Sequence, residues 1–390
     1  MRLPMTPNVS TKDGQSNKNA RLTNCLKEVK KSGDKAVIRP GLVLQAEGTG
    51  VGGGLVAFNN ELVSVYGTTL GKGVGTDPVY VMFGESGFGV SSVFKSNDAT
   101  TWTEYALGGS YFGVEDIAVN GQTICAASAV SDKILRSIDG GDTWSLGSLP
   151  ATANYTGIAY GAGLFVIIKS TPATSYLTSP DGVAWTTRLT IPSISSDGWF
   201  RLRYIGGQFV AIAPGHYGVS SDGLSWSVGS MPSGYWIDVA WNGSIYVATS
   251  IMTNSFASSP DGVAWTVRTG TGKYYSVATN NSGLFVAVWN QDPTCVSTSS
   301  DGINWTRQTD ISYSVDVWGS IQFDGQQFIM FGTDLANSYK ATSPDGVTWA
   351  VELSTLSYEY FTLGVIAARG PIESLATVPT GLYDFAQSPI

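Results

Sequence analysis

Histidine is almost missing from this chain, cysteine is scarce, and long apolar runs do not occur. The 390 residues hold one histidine, His216, and three cysteines, Cys25, Cys125 and Cys295. Three widely spaced cysteines define neither a disulfide framework nor a zinc-ligand spacing, which fits folding in a reducing cytoplasm. A lone histidine, in the segment PGHYG, lacks the partners of a nucleophilic triad. The sequence shows no G-x-S-x-G, no Walker loop and no metal-ligand cluster, so neither a metal nor another cofactor is expected. With no run of 18 apolar residues, no membrane span is expected. The opening MRLPMTPNVSTKDG has no apolar core of the kind a secretory signal needs. Charged residues make up only 13%, and a helical period of 3.6 appears nowhere outside residues 20–33.

What is abundant is glycine, with 47 residues, and aromatic side chains, at 12%. Together they suit short strands joined by tight turns. The net charge of −8 is unevenly spread: residues 1–45 hold nine of the 22 basic and three of the 30 acidic residues, a balance of +6 against −14 for the rest. Arg21, Lys27, Lys30, Lys31 and Arg39 mark this N-terminal segment as a basic docking arm, with a solvated tail as the plainer alternative. The acidic remainder would repel DNA phosphates rather than hold them.

The chain is organised by a repeat of the form S-x-D-G-x-x-W. Its seven copies place serine, aspartate and tryptophan at Ser96, Asp98 and Trp102; Ser137, Asp139 and Trp144; Ser179, Asp181 and Trp185; and Ser220, Asp222 and Trp226. They continue at Ser259, Asp261 and Trp265; Ser299, Asp301 and Trp305; and Ser343, Asp345 and Trp349. Glycine follows the aspartate in six copies, Ala99 replaces it in the first, and the second has one extra residue before its tryptophan. Each copy reads as a hairpin turn. The carboxylate accepts bonds from backbone N–H groups further on, the glycine supplies a positive φ, and the tryptophan anchors the returning strand. Between copies lie paired apolar segments such as FRLRYIGGQFVAIA and IDVAWNGSIYVAT, each a strand, a tight turn and a strand.

One repeat therefore holds four strands, two inner ones and the two of the box hairpin. Four-stranded units at roughly 40–45 residues predict a β-propeller. The expected fold is all-β, a seven-bladed propeller over residues 51–366, with an extended arm over 1–50 and an extended tail over 367–390; six or eight blades remain open. The first blade would be assembled from residues 54–102, and residues 350–390 would close the last blade through VELS and YFTLGVIAA. A solenoid is the rival, but it needs caps that this sequence does not show.

The S-x-D-G-x-x-W copies resemble Asp-boxes, or BNR repeats, found in sialidases, in some endoglucanases and in many non-enzymatic propellers. That resemblance implies a structural hairpin at the blade periphery. A second resemblance lies at the N-terminus. NARLTNCLKEVKKSGDKAVIRPGLVL (19–44), with Arg39, Pro40, Gly41 and Leu42, and the hairpin from Asn59 to Leu70 are similar to the start of the tail nozzle proteins of short-tailed phages. Asp-box copies are not a hallmark of that family. The nozzle resemblance implies a non-enzymatic virion protein, assembled in the host cytoplasm into a cyclic homo-oligomer, a hexamer, that contacts neighbouring tail proteins and lets DNA pass without specific binding. A propeller adhesin for host glycan and an Asp-box glycoside hydrolase are the alternatives.

A sialidase would need an arginine cluster, yet Arg188 and Arg268 simply follow the repeat three residues after a box tryptophan. An endoglycanase would need two opposed carboxylates. Glu85, Glu115, Asp116, Asp238 and Asp316 are candidates, but Asp116, Asp238 and Asp316 recur before inner strands, which favours an architectural role. Calcium at the box aspartates is disfavoured, because one carboxylate per turn falls short of its six to eight oxygens. Tyr155, Trp199, Trp236, Tyr274, Tyr275 and Tyr313 would either line one face as a stacking platform for sugars or pack between blades.

Overall fold

Each repeat alternates apolar strands with glycine- and aspartate-bearing turns, and in the computed structural model these pair into antiparallel four-stranded sheets. The structure describes residues 79–354 apart from short connections at 87–88, 112, 129–130, 171–174, 190–197, 290–293, 295, 309–310, 312–314, 316 and 335–336, together with strand backbone at 44–45, 54–58, 61–66, 69–72 and 364–367. The arm residues Arg21, Lys27, Lys30, Lys31 and Arg39, the tail 368–390, Cys25, Cys295, Tyr313 and Asp316 lie outside the described residues, as does the side chain of Glu85.

Seven four-stranded sheets form the blades of a seven-bladed β-propeller. Blades 2 to 7 are built in chain order from the axis outwards. Blade 2 runs Val114–Asn120, Thr123–Ser128, Ser131–Ser137 and Ser145–Ala153. Blade 3 runs Tyr155–Gly161, Leu164–Lys169, Tyr176–Ser179 and Thr186–Arg188. Blade 4 runs Arg201–Ile205, Gln208–Ala213, His216–Ser220 and Ser227–Ser230. Blade 5 runs Trp236–Trp241, Tyr246–Ser250, Ser255–Ser259 and Thr266–Thr269. Blade 6 runs Tyr274–Thr279, Phe285–Trp289, Val296–Ser299 and Thr306–Gln308. Blade 7 runs Val317–Phe323, Phe328–Thr333, Ser338–Ser343 and Ala350–Leu353.

Blade 1 corrects the expectation drawn from the sequence. Its second, third and outer strands are Val79–Ser86, Gly89–Ser96 and Thr103–Tyr111, and its innermost strand is Gly364–Ala367, from beyond the last repeat. Residues 54–70 take no part in it. Gly54–Phe58 and Glu61–Tyr66 pair with each other and with Leu44–Gln45 and Thr69–Lys72 in a separate four-stranded sheet. That hairpin already has a partner on each side. The open edge of Val79–Ser86 is satisfied instead by the returning chain, with Val365 opposite Val81 and Ala367 opposite Val79. VELS does supply the outer strand of blade 7, whereas GVIA closes blade 1. The chain divides accordingly into one unit of Met1–Asp77 with Pro371–Ile390 and a propeller unit of Pro78–Gly370.

The apolar core of the propeller lies between blades. One cluster joins Val81, Phe83 and Val93 of blade 1 to Ile124 and Leu135 of blade 2; another joins Tyr80, Met82 and Phe94 of blade 1 to Ile329 and Phe331 of blade 7, which completes the ring. Tyr155, Trp199, Trp236 and Tyr274 are all fully buried, so they are packing residues rather than a sugar platform. Trp236 and Tyr274, like Tyr155, open innermost strands just before a register shift. Such a bulge re-aims the side chains that follow it.

Candidate functional site

Two sets of polar residues carry the recurring chemistry of the propeller: the box turns and the residues just after the inner-strand bulges. The third box shows how the turn works. Asp181 Oδ1 accepts the N–H of Val183 at 2.9 Å and of Ala184 at 3.3 Å, and the hydroxyl of Ser179 at 3.0 Å. Ser179 Oγ in turn accepts the Gly182 N–H at 2.9 Å. The same arrangement recurs at Asp222, Asp261, Asp301 and Asp345. In the second box the extra residue shifts the pattern by one: Ser137 Oγ accepts Gly141 N–H, and Asp139 Oδ1 accepts the N–H groups of Asp142 and Thr143. The backbone donors Ser225 and Leu224 hold the Asp222 carboxyl down at about 2.

The boxes also tie neighbouring blades together. Arg136 of blade 2 donates to Asp181 O in the box of blade 3, Tyr176 of blade 3 to Leu224 O in that of blade 4, and Gln208 of blade 4 to Asp261 O in that of blade 5. Lys95 pairs with Asp142 and Lys340 with the Thr100 hydroxyl, which extends the pattern to the boxes of blades 2 and 1. Box tryptophans lie on the preceding blade: Trp102 meets Phe331, Trp144 meets Phe83, Trp226 meets Tyr176, and Trp305 stacks on Phe256. Arg188 and Arg268 bond Thr178 and Ser258 on the adjoining strand of their own blades.

On the innermost strands, Asp116, Asp238 and Ser276 occupy the position that follows the bulge in blades 2, 5 and 6. Each accepts the N–H of the next blade's inner strand: Asp116 from Ile158 at 3.3 Å, Asp238 from Val277 at 3.2 Å, and Ser276 from Ile321 at 3.3 Å. Ser276 also donates to Asp238 Oδ2 at 2.7 Å. Blade 4 contributes Arg201 and Arg203. Arg203 Nη1 lies 2.9 Å from Asp116 Oδ2 and Nη2 lies 3.4 Å from Asp238 Oδ1; Arg201 Nε lies 3.6 Å from Asp238 Oδ1.

These two carboxylates and two guanidiniums form a charge-balanced cluster linking blades 2, 4 and 5. Asp116, Asp238 and Arg201 are exposed by only 3%, 2% and 7%, so their charges depend on one another rather than on water. Burial opposes the charged form of Arg201, but Asp238 and Asp116 outweigh it and hold the guanidinium above its ordinary pKa. Asp238 Oδ1 has no hydrogen bond of ordinary length; the two guanidiniums at 3.4 and 3.6 Å supply its countercharge. Gly157 makes the reach across blade 3 possible, since a Cβ there would sit 2.8 Å from the Leu202 nitrogen.

The sequence reading did not single out Arg201, Arg203 or Ser276. A signal was there, because Arg201 stands five residues before its hairpin glycine, as Asp116 and Asp238 do. Among the remaining candidates, His216 sits on the third strand of blade 4 with Nδ1 at 2.9 Å from Pro214 O. Cys125 is buried, which pushes its thiol up to about 12. Among the described residues no group of three or more His, Cys, Asp or Glu side chains could hold a metal ion. No described helix is long and apolar enough to cross a membrane.

Neither a known family model nor a curated protein matches the chain. Solved structures do. A catalytically inactive virginiamycin B lyase from Staphylococcus aureus with quinupristin is similar at a TM-score of 0.53 and 11% identity, over 81% of this chain and 100% of that one. A streptogramin B lyase is similar at 0.52 and 8%, over 80% and 98%. YCF48 bound to D1 peptide is similar at 0.50 and 16%, over 62% and 81%. At these identities the likeness establishes the propeller fold alone.

Proposed function

We propose that this chain is a non-enzymatic virion structural protein, a nozzle-like component of a phage tail ring, whose propeller is a module inserted into the assembling unit. One observation carries the reading. The chain enters and leaves the propeller through paired residues, Val79 opposite Ala367, and the segments on either side, Met1–Asp77 and Pro371–Ile390, belong to one unit. That unit holds the RPGL stretch and the hairpin that resemble the start of tail nozzle proteins.

The axial cluster supports the same view. Its carboxylates are engaged by arginines and backbone donors in a recurring inter-blade arrangement, so they act as an axle between blades rather than as an acid and a base facing a substrate. DNA would pass through a ring of subunits rather than through the propeller, whose innermost strands these four side chains link.

Native mass measurement and imaging of the purified full-length protein test the proposal. A closed ring of defined size, formed alone or on a phage tail, is the expected result. A protein that stays monomeric in both settings, or that turns over a sialoside or polysaccharide, overturns it. Binding of a monomer on a glycan array would point to an adhesin instead.

A further inference from the structure

The chain is rich in the two dipeptides most prone to backbone-driven rearrangement. Asn–Gly occurs at 120–121 and 242–243, and Asp–Gly occurs nine times, six of them in the boxes. In such pairs the glycine nitrogen attacks the preceding side-chain carbonyl carbon. The attack needs a free glycine N–H, a mobile side chain and, for aspartate, a protonated carboxyl.

Asn120 and Asn242 occupy equivalent places, at the ends of the innermost strands of blades 2 and 5, yet their surroundings differ. Asn242 is clamped. Its Oδ1 accepts Ser244 N–H and Ile245 N–H, both at 3.0 Å, and its Nδ2 donates to Gly283 O of blade 6 at 3.1 Å. Asn120 closes a two-residue turn opposite Thr123, and its side chain makes no hydrogen bond among the described residues. The Gly121 N–H is likewise unbonded, and a Cβ on Gly121 would meet nothing within 4 Å. In the boxes the attacking nitrogen is occupied instead: the Gly182, Gly223, Gly262, Gly302 and Gly346 N–H groups all donate to the box serine at 2.8–2.9 Å. In the second box, Gly140 N–H donates to Gln122 O at 2.9 Å.

We propose that Asn120–Gly121 is a site of spontaneous deamidation in the folded protein, and that in five boxes the serine, by engaging the glycine N–H, spares the Asp–Gly pair the equivalent isomerisation. In the first step the Gly121 nitrogen loses its proton and bonds to Asn120 Cγ, the Cγ–Nδ2 bond breaks, and ammonia leaves. Water then opens the cyclic imide at either carbonyl. Cleavage at Cγ gives aspartate, and cleavage at the main-chain carbonyl gives isoaspartate. The depressed carboxyl of Asp222 acts in the same direction as the serine, because the ionised form resists attack. The change puts a negative charge on the inner hairpin of blade 2, four residues from Asp116. In the isoaspartyl form it also adds a methylene to the backbone of a two-residue turn.

The test is incubation of the full-length protein, at mildly alkaline pH for the asparagines and at mildly acidic pH for the box aspartates, followed by peptide mapping by mass spectrometry and enzymatic isoaspartate detection. Conversion at Asn120 is expected to exceed that at Asn242 several-fold, with the box aspartates unchanged, and the two asparagines should convert alike in urea. Ser179→Ala should raise isoaspartate at Asp181 while the other boxes stay intact. Equal conversion at Asn120 and Asn242 in the folded protein overturns the first part. An unchanged Asp181 in a folded Ser179→Ala variant overturns the second. If that variant does not fold, Ser179→Thr keeps the hydroxyl and must stay unmodified, while Ser179→Gly supplies the missing comparison.

Discussion

The glycine after the box aspartate meets two constraints at once. Gly182 has φ +74°, and a Cβ there would overlap the buried Cys125 Sγ on blade 2, so something must shift. Gly163 shares the backbone conformation, at φ +78°, but faces open space. Gly163→Ala should therefore cost about 1–2 kcal/mol for left-handed backbone alone. Gly182→Ala should cost a further ~1–3 kcal/mol for overpacking; urea denaturation of the two variants checks the difference. Ala99, the one exception to the box glycine, sits at φ +57° and is buried against Ile329 and Phe331 of blade 7, so there the methyl group fills the ring-closing interface. At the axis, Arg201→Met would leave Asp238 short of a countercharge in a buried site. A loss of about 3–5 kcal/mol is expected, as for breaking a buried pair from one side. Adding Asp238→Asn to it should restore part of that loss, which a double-mutant cycle on denaturation midpoints would measure.

At the scale of the element, the box turn makes stability depend on acid. The Asp222 carboxyl falls from 3.8 to about 2 on folding, so the unfolded chain takes up the proton more readily than the native one. The stabilisation is present above pH 3.8 and is lost as pH falls through about 2. Each turn is solvent-exposed and contributes a small, screened share, but Asp98, Asp139, Asp181, Asp261, Asp301 and Asp345 shift the same way. Denaturation midpoints followed from pH 5 to pH 2 should drop, less steeply in Asp222→Asn; a flat profile would contradict the turn chemistry. Outer strands also manage their edges. Five blades end in strands of only three or four residues, and the nine-residue outer strand of blade 2 carries Pro150. The closing strand is the vulnerable element. Replacing Val365 and Ile366 by proline removes the one N–H of the two that donates to Val79–Met82, and hydrogen exchange there should rise from core-like to edge-like rates.

For the whole molecule, ring closure places the two ends of the propeller on paired residues. Paired antiparallel Cα atoms lie about 5 Å apart, a gap that two or three residues span. If the full-length protein forms the proposed ring, a chain in which a short glycine linker replaces 79–367 should therefore form it too, as judged by native mass measurement. Loss of assembly in that variant, with the full-length ring intact, would mean that the propeller itself builds the ring.

The repeat made the fold class, the four-strand unit and the seven box turns readable, because Asp, Gly and Trp act through local hydrogen bonds and steric rules that need no distant partner. Blade 1 was not readable, because the register of a closing strand is set by an edge left open some 280 residues earlier. The axial cluster escaped for a related reason. Asp116, the pair Arg201 and Arg203, and Asp238 lie in three different repeats, and no repeat taken alone shows which charges they meet. Only the closing of the ring brings their charges within reach, where burial makes each one depend on the others.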